Sequence, residues 1–249
     1  MAEVLANPVA KKLASVADRL LGVAIIDTPS DSNQVRNFRD ANGAAHVYMV
    51  SPKVKVGQGS TIKDVPMSAY AAGVFAAINF WESPSNREVA GILGTSEPVS
   101  FSLSDPDTKG QLLNAIQVAT VVRQDGFRLW GARGTGDTTD AKTNQIQKVR
   151  IRNAIREAIL ASHRWAVAQG ITRNYFEAVA GSVNKFLEDL KRRGAIAGGS
   201  CVPDAEANTI DNLNNGKVAW IYDFTPTPVS EKLTFTEEIT DKYLEGIGA

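Results

Sequence analysis

The sequence predicts an α/β front half followed by an α+β back half. Three observations carry this: helix and strand patterns alternate between residues 9 and 50, a Gly/Thr/Asp-rich break follows at 132–145, and beyond it two long helical patterns precede two alternating strands. In the first segment Val9, Leu13, Val16, Ala17 and Leu20 fall at helical spacing, while Lys11, Lys12, Asp18 and Arg19 take most of the other face. That helix runs into the apolar stretch Gly22 to Asp27, closed by Thr28-Pro29-Ser30, and Ala45 to Val50 forms a second such stretch closed by Ser51-Pro52. Short apolar runs bounded by turn residues are the pattern of buried parallel strands. A short helix over Gln34–Asp40 completes a helix, strand, helix, strand order.

Lys53 to Val65 is polar and contains Gly57-Gln58-Gly59-Ser60, which predicts an exposed loop ahead of an Ala- and Gly-rich helix from Pro66 to Phe80. Pro98 to Leu103 alternates like one exposed strand. A helix over Thr108–Ala115 then leads to a strand at Val118–Val122 and the segment Gly126–Gly131. Residues 132–145 hold almost no large apolar side chain and read as a solvated linker, dividing the chain into 1–131, the linker and 146–249. Beyond it one helix spans 146–168, with Val149, Ile155, Ile159 and Trp165 on its buried side. The next carries Phe176, Val179, Val183, Phe186, Leu187 and Leu190 in steps of three or four, with Thr172 as its cap and Gly194 as its stop. The strands Val218–Phe224 and Leu233–Ile239 are expected to form a hairpin, which needs a helical cover or further strands.

Composition excludes several classes of function. Lys plus Arg and Asp plus Glu number 27 each and the pI is near 6.8, so no electrostatic footprint for nucleic acid or an anionic membrane exists. No stretch reaches the roughly 20 apolar residues of a bilayer span. Met1 to Leu5 lacks the basic and apolar pattern of an export signal, and the single Cys201 permits no internal disulfide, which suits assembly in a cytoplasm. Gly131 to Thr138 has the spacing of a phosphate loop, but Asp137 stands where lysine must be. His46, His163 and Cys201 form no metal-ligand spacing, no Gly-x-Ser-x-Gly elbow occurs, and Asp105-Pro106-Asp107 is a turn rather than a calcium loop. The reading is of a protein with no catalytic, metal or cofactor site.

Several segments, taken as a set, resemble contractile tail sheath proteins: Pro66 to Gly73, Trp81 to Glu88, Arg128-Leu129-Trp130-Gly131, Ala161 to Val167, Gly170-Ile171-Thr172 and Gly216-Lys217-Val218. The resemblance covers essentially the whole chain and is nearest to the sheaths of R-type pyocins and Myoviridae-type prophage tails. It implies a sheath core of subtilisin-like topology followed by the family's C-terminal domain. It also implies stacked hexameric rings around an inner tube, which contract to drive that tube through an envelope. The partners implied are other copies of the chain, the inner tail tube protein, and baseplate and terminator proteins; the setting is a virion tail or a released tail-like particle.

Sheath subunits are linked by terminal arms that add strands to neighbours, so the resemblance assigns Val218, Trp220, Tyr222, Leu233, Phe235, Ile239, Tyr243, Leu244 and Ile247 to strand pairing between subunits. Residues 243–249 are then the arm, the alternative being a frayed end. Lys185, Lys191, Arg192 and Arg193 are assigned to contact with the inner tube, although compensation of the helix dipole accounts for the last three as well. Two other readings stay open: a sheath component of another contractile injection or secretion system, and an α/β enzyme domain. The family's chains begin with an arm and further strands ahead of the helix at Val9, whereas this sequence opens almost directly on it. Such a chain is expected to polymerise weakly or not at all alone; long regular sheaths in electron micrographs of the purified chain would contradict this.

Overall fold

The computed structural model of the protein describes residues 6–29, 31–137, 139–244 and 247, without the side chains of 32 and 33. Met1 to Leu5 lie outside the described residues. The front half runs α1 (Pro8–Arg19), β1 (Ala24–Asp27), α2 (Ser32–Asn42) and β2 (Val47–Val50), the order expected. It continues with β3 (Val54–Gln58), β4 (Thr61–Val65), α3 (Met67–Ala77), β5 (Arg87–Glu88), β6 (Gly94–Thr95), α4 (Lys109–Ala115), β7 (Val118–Arg123) and β8 (Phe127–Trp130). A five-stranded sheet of order β1-β2-β7-β8-β5 forms its centre, with β1, β2 and β7 parallel and β8 antiparallel to both of its neighbours, β7 and β5.

Every residue of β2 is buried because both faces of the sheet are covered. Tyr48 and Val50 point toward α3, with Met67, Ala71 and Phe75, and toward Ile146 and Val149 beyond the break. Val47 and Met49 point the other way, into Ala10, Ala17, Val35, Phe38 and Leu113. The α1 face is shifted from the expected one: Ala17 is buried as expected and Ala10 joins it, while Val9, Leu13 and Leu20 are exposed. Two small residues seven apart let the helix lie close to the sheet. Asn7 fixes its start, accepting from Val9 and Ala10 while its own N–H donates to Asn42 Oδ1.

Three further expectations are corrected. The polar stretch 53–65 is the hairpin β3–β4, turning at Gly59 with φ 61°, and β6 joins it as a third strand. Residues 98–103 form no strand; Ser100 instead receives the N–H groups of Gly110, through its carbonyl, and Lys109, through its hydroxyl, and Phe101 packs edge-on against Trp130. Residues 132–145 are not a solvated linker. Ala132, Thr135 and Gln145 are buried, and the Thr135 N–H donates to the Val47 carbonyl at 2.9 Å. Small residues here permit close approach: a Cβ on Gly136 would sit 3.0 Å from Ala45 Cα, and one on Gly131 would sit 2.7 Å from Ala119 Cβ.

The back half contains α5 (Ile146–Ser162), α6 (Arg173–Arg192), β9 (Ile196–Pro203), α7 (Ile210–Asn214) and β10 (Trp220–Pro226). α5 stops at Ser162, short of 168, and passes through a 3-10 turn at Arg164–Ala166, which leaves Trp165 half exposed. α6 follows the expected pattern. Thr172 Oγ1 accepts from the Tyr175 N–H, and Val179, Val183, Leu187 and Leu190 are buried. At its end Gly194, at φ 77°, donates to Lys191 and Ala195 donates to Leu190, the paired bonds of a Schellman stop. The two-stranded antiparallel sheet of this half is not the one the sequence suggested: β10 pairs with β9, and residues 233–239 join no strand. β9 and α6 pack on Ile151 and Ile155 of α5 to form a third core.

Gly131 combines a φ of 144° with the close approach to Ala119. Gly131→Ala is expected to destabilise the fold by roughly 3 kcal/mol, read as a lower urea midpoint with an unchanged slope.

Candidate assembly surface

The β9–β10 sheet has two outer edges, and the side chains around it treat them differently. Asp204 donates its N–H to the Ala219 carbonyl at 3.0 Å, so antiparallel alternation turns the polar groups of Gly198, Ser200 and Val202 toward β10. Those of Cys201 face away, where the Asn184 side chain of α6 meets both: its Oδ1 accepts from Cys201 N–H at 2.7 Å and its Nδ2 donates to the Cys201 carbonyl at 2.9 Å. One amide takes the place of a neighbouring strand, and the β9 edge is closed there. On β10 the same alternation turns the N–H and C=O groups of Trp220, Tyr222 and Phe224 outward, and no described strand pairs with them.

The face of this sheet against the helices is aromatic. Trp220 lies 5.2 Å from Phe176 and 5.7 Å from Tyr175, centroid to centroid, and its Nε1 donates to the Phe176 carbonyl. Tyr222 and Phe224 stack alongside, and Ile221 on the opposite face is exposed. Trp220 and Tyr222 share one edge of β10, Val218 lies ahead of the strand, and Leu233, Phe235 and Ile239 are elsewhere. They stand 76%, 89% and 91% exposed on a segment without regular structure. Tyr243 and Leu244 lie on a 3-10 turn at Lys242–Leu244, Ile247 is exposed, and 245, 246, 248 and 249 fall outside the described residues.

The cationic end of α6 is partly neutralised by its own helix. Lys191 reaches Glu188 at 3.9 Å and Arg192 pairs with Asp189. Lys185 and Arg193 are exposed and have no ion-pair partner among the described residues. Sequence reasoning missed Asn184 and Gln145, because a polar residue on or just ahead of a helix reads as solvated surface.

The residues considered for chemistry serve packing. His46 is buried; its Nδ1–H donates to the Gly22 carbonyl at 3.0 Å, Arg152 donates to its Nε2 at 3.0 Å, and Asp18 lies 3.1 Å from the same nitrogen. His163 Nδ1–H donates to the Ile159 carbonyl at the end of α5. Cys201 packs in the third core, where burial pushes its thiol pKa up. In the glycine-rich segment the N–H groups of Gly134 and Thr135 are bound to the Asn144 and Val47 carbonyls, so they are not turned to a phosphate. Thr138 lies outside the described residues. Among the described residues no group of three or more His, Cys, Asp or Glu is placed to hold a metal, and no helix is long and apolar enough to cross a membrane.

Comparison with known proteins matches residues 2–135 to the phage tail sheath protein central domain and residues 138–240 to the phage tail sheath C-terminal domain. The chain belongs to the phage tail sheath family. Among its relatives, a prophage major tail sheath protein of Pseudomonas aeruginosa is 38% identical over 95% of this chain, and the tail sheath protein of Escherichia phage P2 is 30% identical over 96%. The chain spans 62% of the length of each. Among solved structures, the contracted baseplate of the anti-feeding prophage contains a chain that matches with a TM-score of 0.79 at 18% identity, covering 94% of this chain and 70% of that one. Its contracted helical sheath matches at 0.72 and 21%, covering 94% and 65%. At these identities the likeness is one of fold.

The sheath chain's edge predicts a contrast. Asn184→Ala leaves two main-chain groups of β9 without their partner and should cost about 2 kcal/mol. Lys191→Glu with Arg192→Glu, at exposed ion pairs, should shift stability by less than about 1 kcal/mol. Urea denaturation of both variants measures the difference.

Proposed function

We propose that the chain is a structural subunit of a contractile tail sheath, without catalytic activity or cofactor, in which stacked hexameric rings surround an inner tube and contract to drive it through a cell envelope. One observation carries this reading: an open β10 edge and a segment at 233–239 without regular structure, whose Leu233, Phe235 and Ile239 are exposed, occur on the same chain. Donor and acceptor for strand exchange are thereby present on each copy. A strand laid on Trp220, Tyr222 and Phe224 meets three N–H and three C=O groups, about six hydrogen bonds of about 1 kcal/mol net each. Such links hold while the bodies of the subunits rotate, because main-chain pairing does not depend on how those bodies face one another.

In this reading 1–131 is the sheath core domain, 132–145 its connection, and 146–249 the C-terminal domain, with the arm at 243–249 completing the link. Partners are further copies of the chain, the inner tube, and baseplate and terminator proteins, in a particle assembled in the bacterial cytoplasm and forming part of a virion tail or a released tail-like body. The fold likeness to anti-feeding prophage chains supports a second reading, a sheath of another contractile injection system. Neighbouring genes for tube, baseplate and lysis proteins distinguish the two.

Electron microscopy with and without the tube protein tests the function. Co-expression should give tubular particles whose outer layer contains this chain; dispersed subunits alone in both preparations would remove the reading. Within it, α6 presents Lys185, Lys191, Arg192 and Arg193 to acidic groups of the tube. Lys191→Glu with Arg192→Glu should reduce the amount of chain sedimenting with tubes; unchanged co-sedimentation would exclude this contact.

A further inference from the structure

Residues 233–236 alternate Leu, Thr, Phe, Thr, and only residues 227–232 separate them from the end of β10. Six residues is one more than the usual hairpin loop but an ordinary length for a connection, so local pattern favours the tail folding back on its own β10 edge. In the structure the chain beyond β10 is held elsewhere. The Thr227 N–H donates to the Ala195 carbonyl at 3.1 Å, which prolongs the pairing with β9 past Pro226. Two residues later the Gln145 side chain grips both main-chain groups of Val229: Oε1 accepts from its N–H at 3.1 Å and Nε2 donates to its carbonyl at 3.0 Å. Gln145 also donates to Glu231, whose other carboxylate oxygen receives Arg133 Nε at 2.8 Å.

Gln145 is only 5% exposed, and its Oε1 also accepts from Gln147 Nε2 at 3.0 Å, which fixes the orientation of the amide. Arg133 and Gln145 are themselves joined by an antiparallel bridge, so the grip stands on a braced pair of residues. Beyond Glu231 regular structure is absent through Asp241, and the large apolar side chains face water.

We propose that Gln145 and Arg133 act as a clamp that holds the tail off its own β10 edge, so that residues 233–239 pair with β10 of a second copy rather than with their own. The inference rests on the strand-exchange reading above and adds its direction control. Gln145 and Arg133 are positioning residues: they touch the root of the exchanged strand, not the strand itself. With the clamp in place the edge of each copy stays open for a neighbour. Without it the short tether raises the local concentration of the tail at its own edge far above that of any other copy.

Cysteine pairs read the direction of pairing. Ile221→Cys on the exposed face of β10 is combined in turn with Glu238→Cys, its opposite number in a hairpin that pairs 226 with 233, and with Thr236→Cys, and the full chain is oxidised over a dilution series. With the clamp intact the disulfides should link two copies and fade on dilution. Arg133→Ala with Gln145→Ala should move them inside one chain, raising the ratio of intra- to inter-chain product by at least about tenfold. Because Gln145 is buried, Glu231→Arg serves as a second variant that breaks the grip from an outer residue, with the same shift expected. Disulfides that stay between copies in both variants would overturn the clamp while leaving strand exchange standing. Disulfides already inside one chain with the clamp intact would overturn the clamp as well, and no link between copies at any concentration would overturn the exchange on which it rests.

Discussion

One helix holds the molecule together. α5 places Ile146 and Val149 in the core above the five-stranded sheet and Ile151 and Ile155 in the core of the C-terminal half. Between them Arg150 donates to the Phe75 and Asn79 carbonyls at the end of α3 and lies 5.2 Å over the Phe75 ring. A cation at a helix C-terminus satisfies orphan carbonyls and the helix dipole together. Burial draws the Arg150 pKa below its ordinary value, and the charge of Glu82 opposes that fall. The next turn, through Arg152 and Asn153, meets His46 and Gly22 ahead of β2 and β1. A rod with 1.5 Å rise per residue that is fixed in both cores leaves little freedom between them, so under the proposed function the change of state would fall on the links.

The strongly apolar elements were legible because their pattern is local. Gly22–Asp27, Ala45–Val50 and Val118–Val122 are strands on composition alone, and α6 announces its start at Thr172 and its stop at Gly194. β9 was not legible. Its Ala197-Gly198-Gly199-Ser200 has poor strand propensity, and the reason for one glycine lies across the sheet: a Cβ on Gly199 would sit 2.6 Å from the Asp223 carbonyl oxygen. The α1 face was misread for a related reason. Larger side chains dominated the suggested stripe, whereas close packing on the sheet kept only Ala17 of it and added Ala10.

For the assembly surface, the sequence identified β10 but gave it Leu233–Ile239, which forms no strand, in place of β9. Val218–Phe224 and Leu233–Ile239 each alternate, and a hairpin is the local solution. Which strands meet is decided by two side-chain amides, Asn184 on Cys201 and Gln145 on Val229, each occupying one residue's worth of strand partner. Neither has a signature in composition or spacing. The glycine-rich stretch 131–136 shows the converse: its phosphate-loop spacing is strong in the sequence, yet in the fold those small residues serve only to lie close against Ala45, Val47 and Ala119.

The exposed tail also indicates how strong one link is. Burying Leu233, Phe235 and Ile239 contributes about 6 kcal/mol, and about six main-chain hydrogen bonds contribute about 6 more. Ordering about seven backbone residues costs about 7 to 14 kcal/mol. The sum lies near zero, so an isolated copy gains little from accepting one strand. In the ring of the proposed assembly each subunit would both give and receive a strand, and once neighbours were fixed each further strand would be tethered at high local concentration. Links that are individually marginal would then be collectively stable, with no single one strong enough to stop the subunits of that assembly from changing their relative positions.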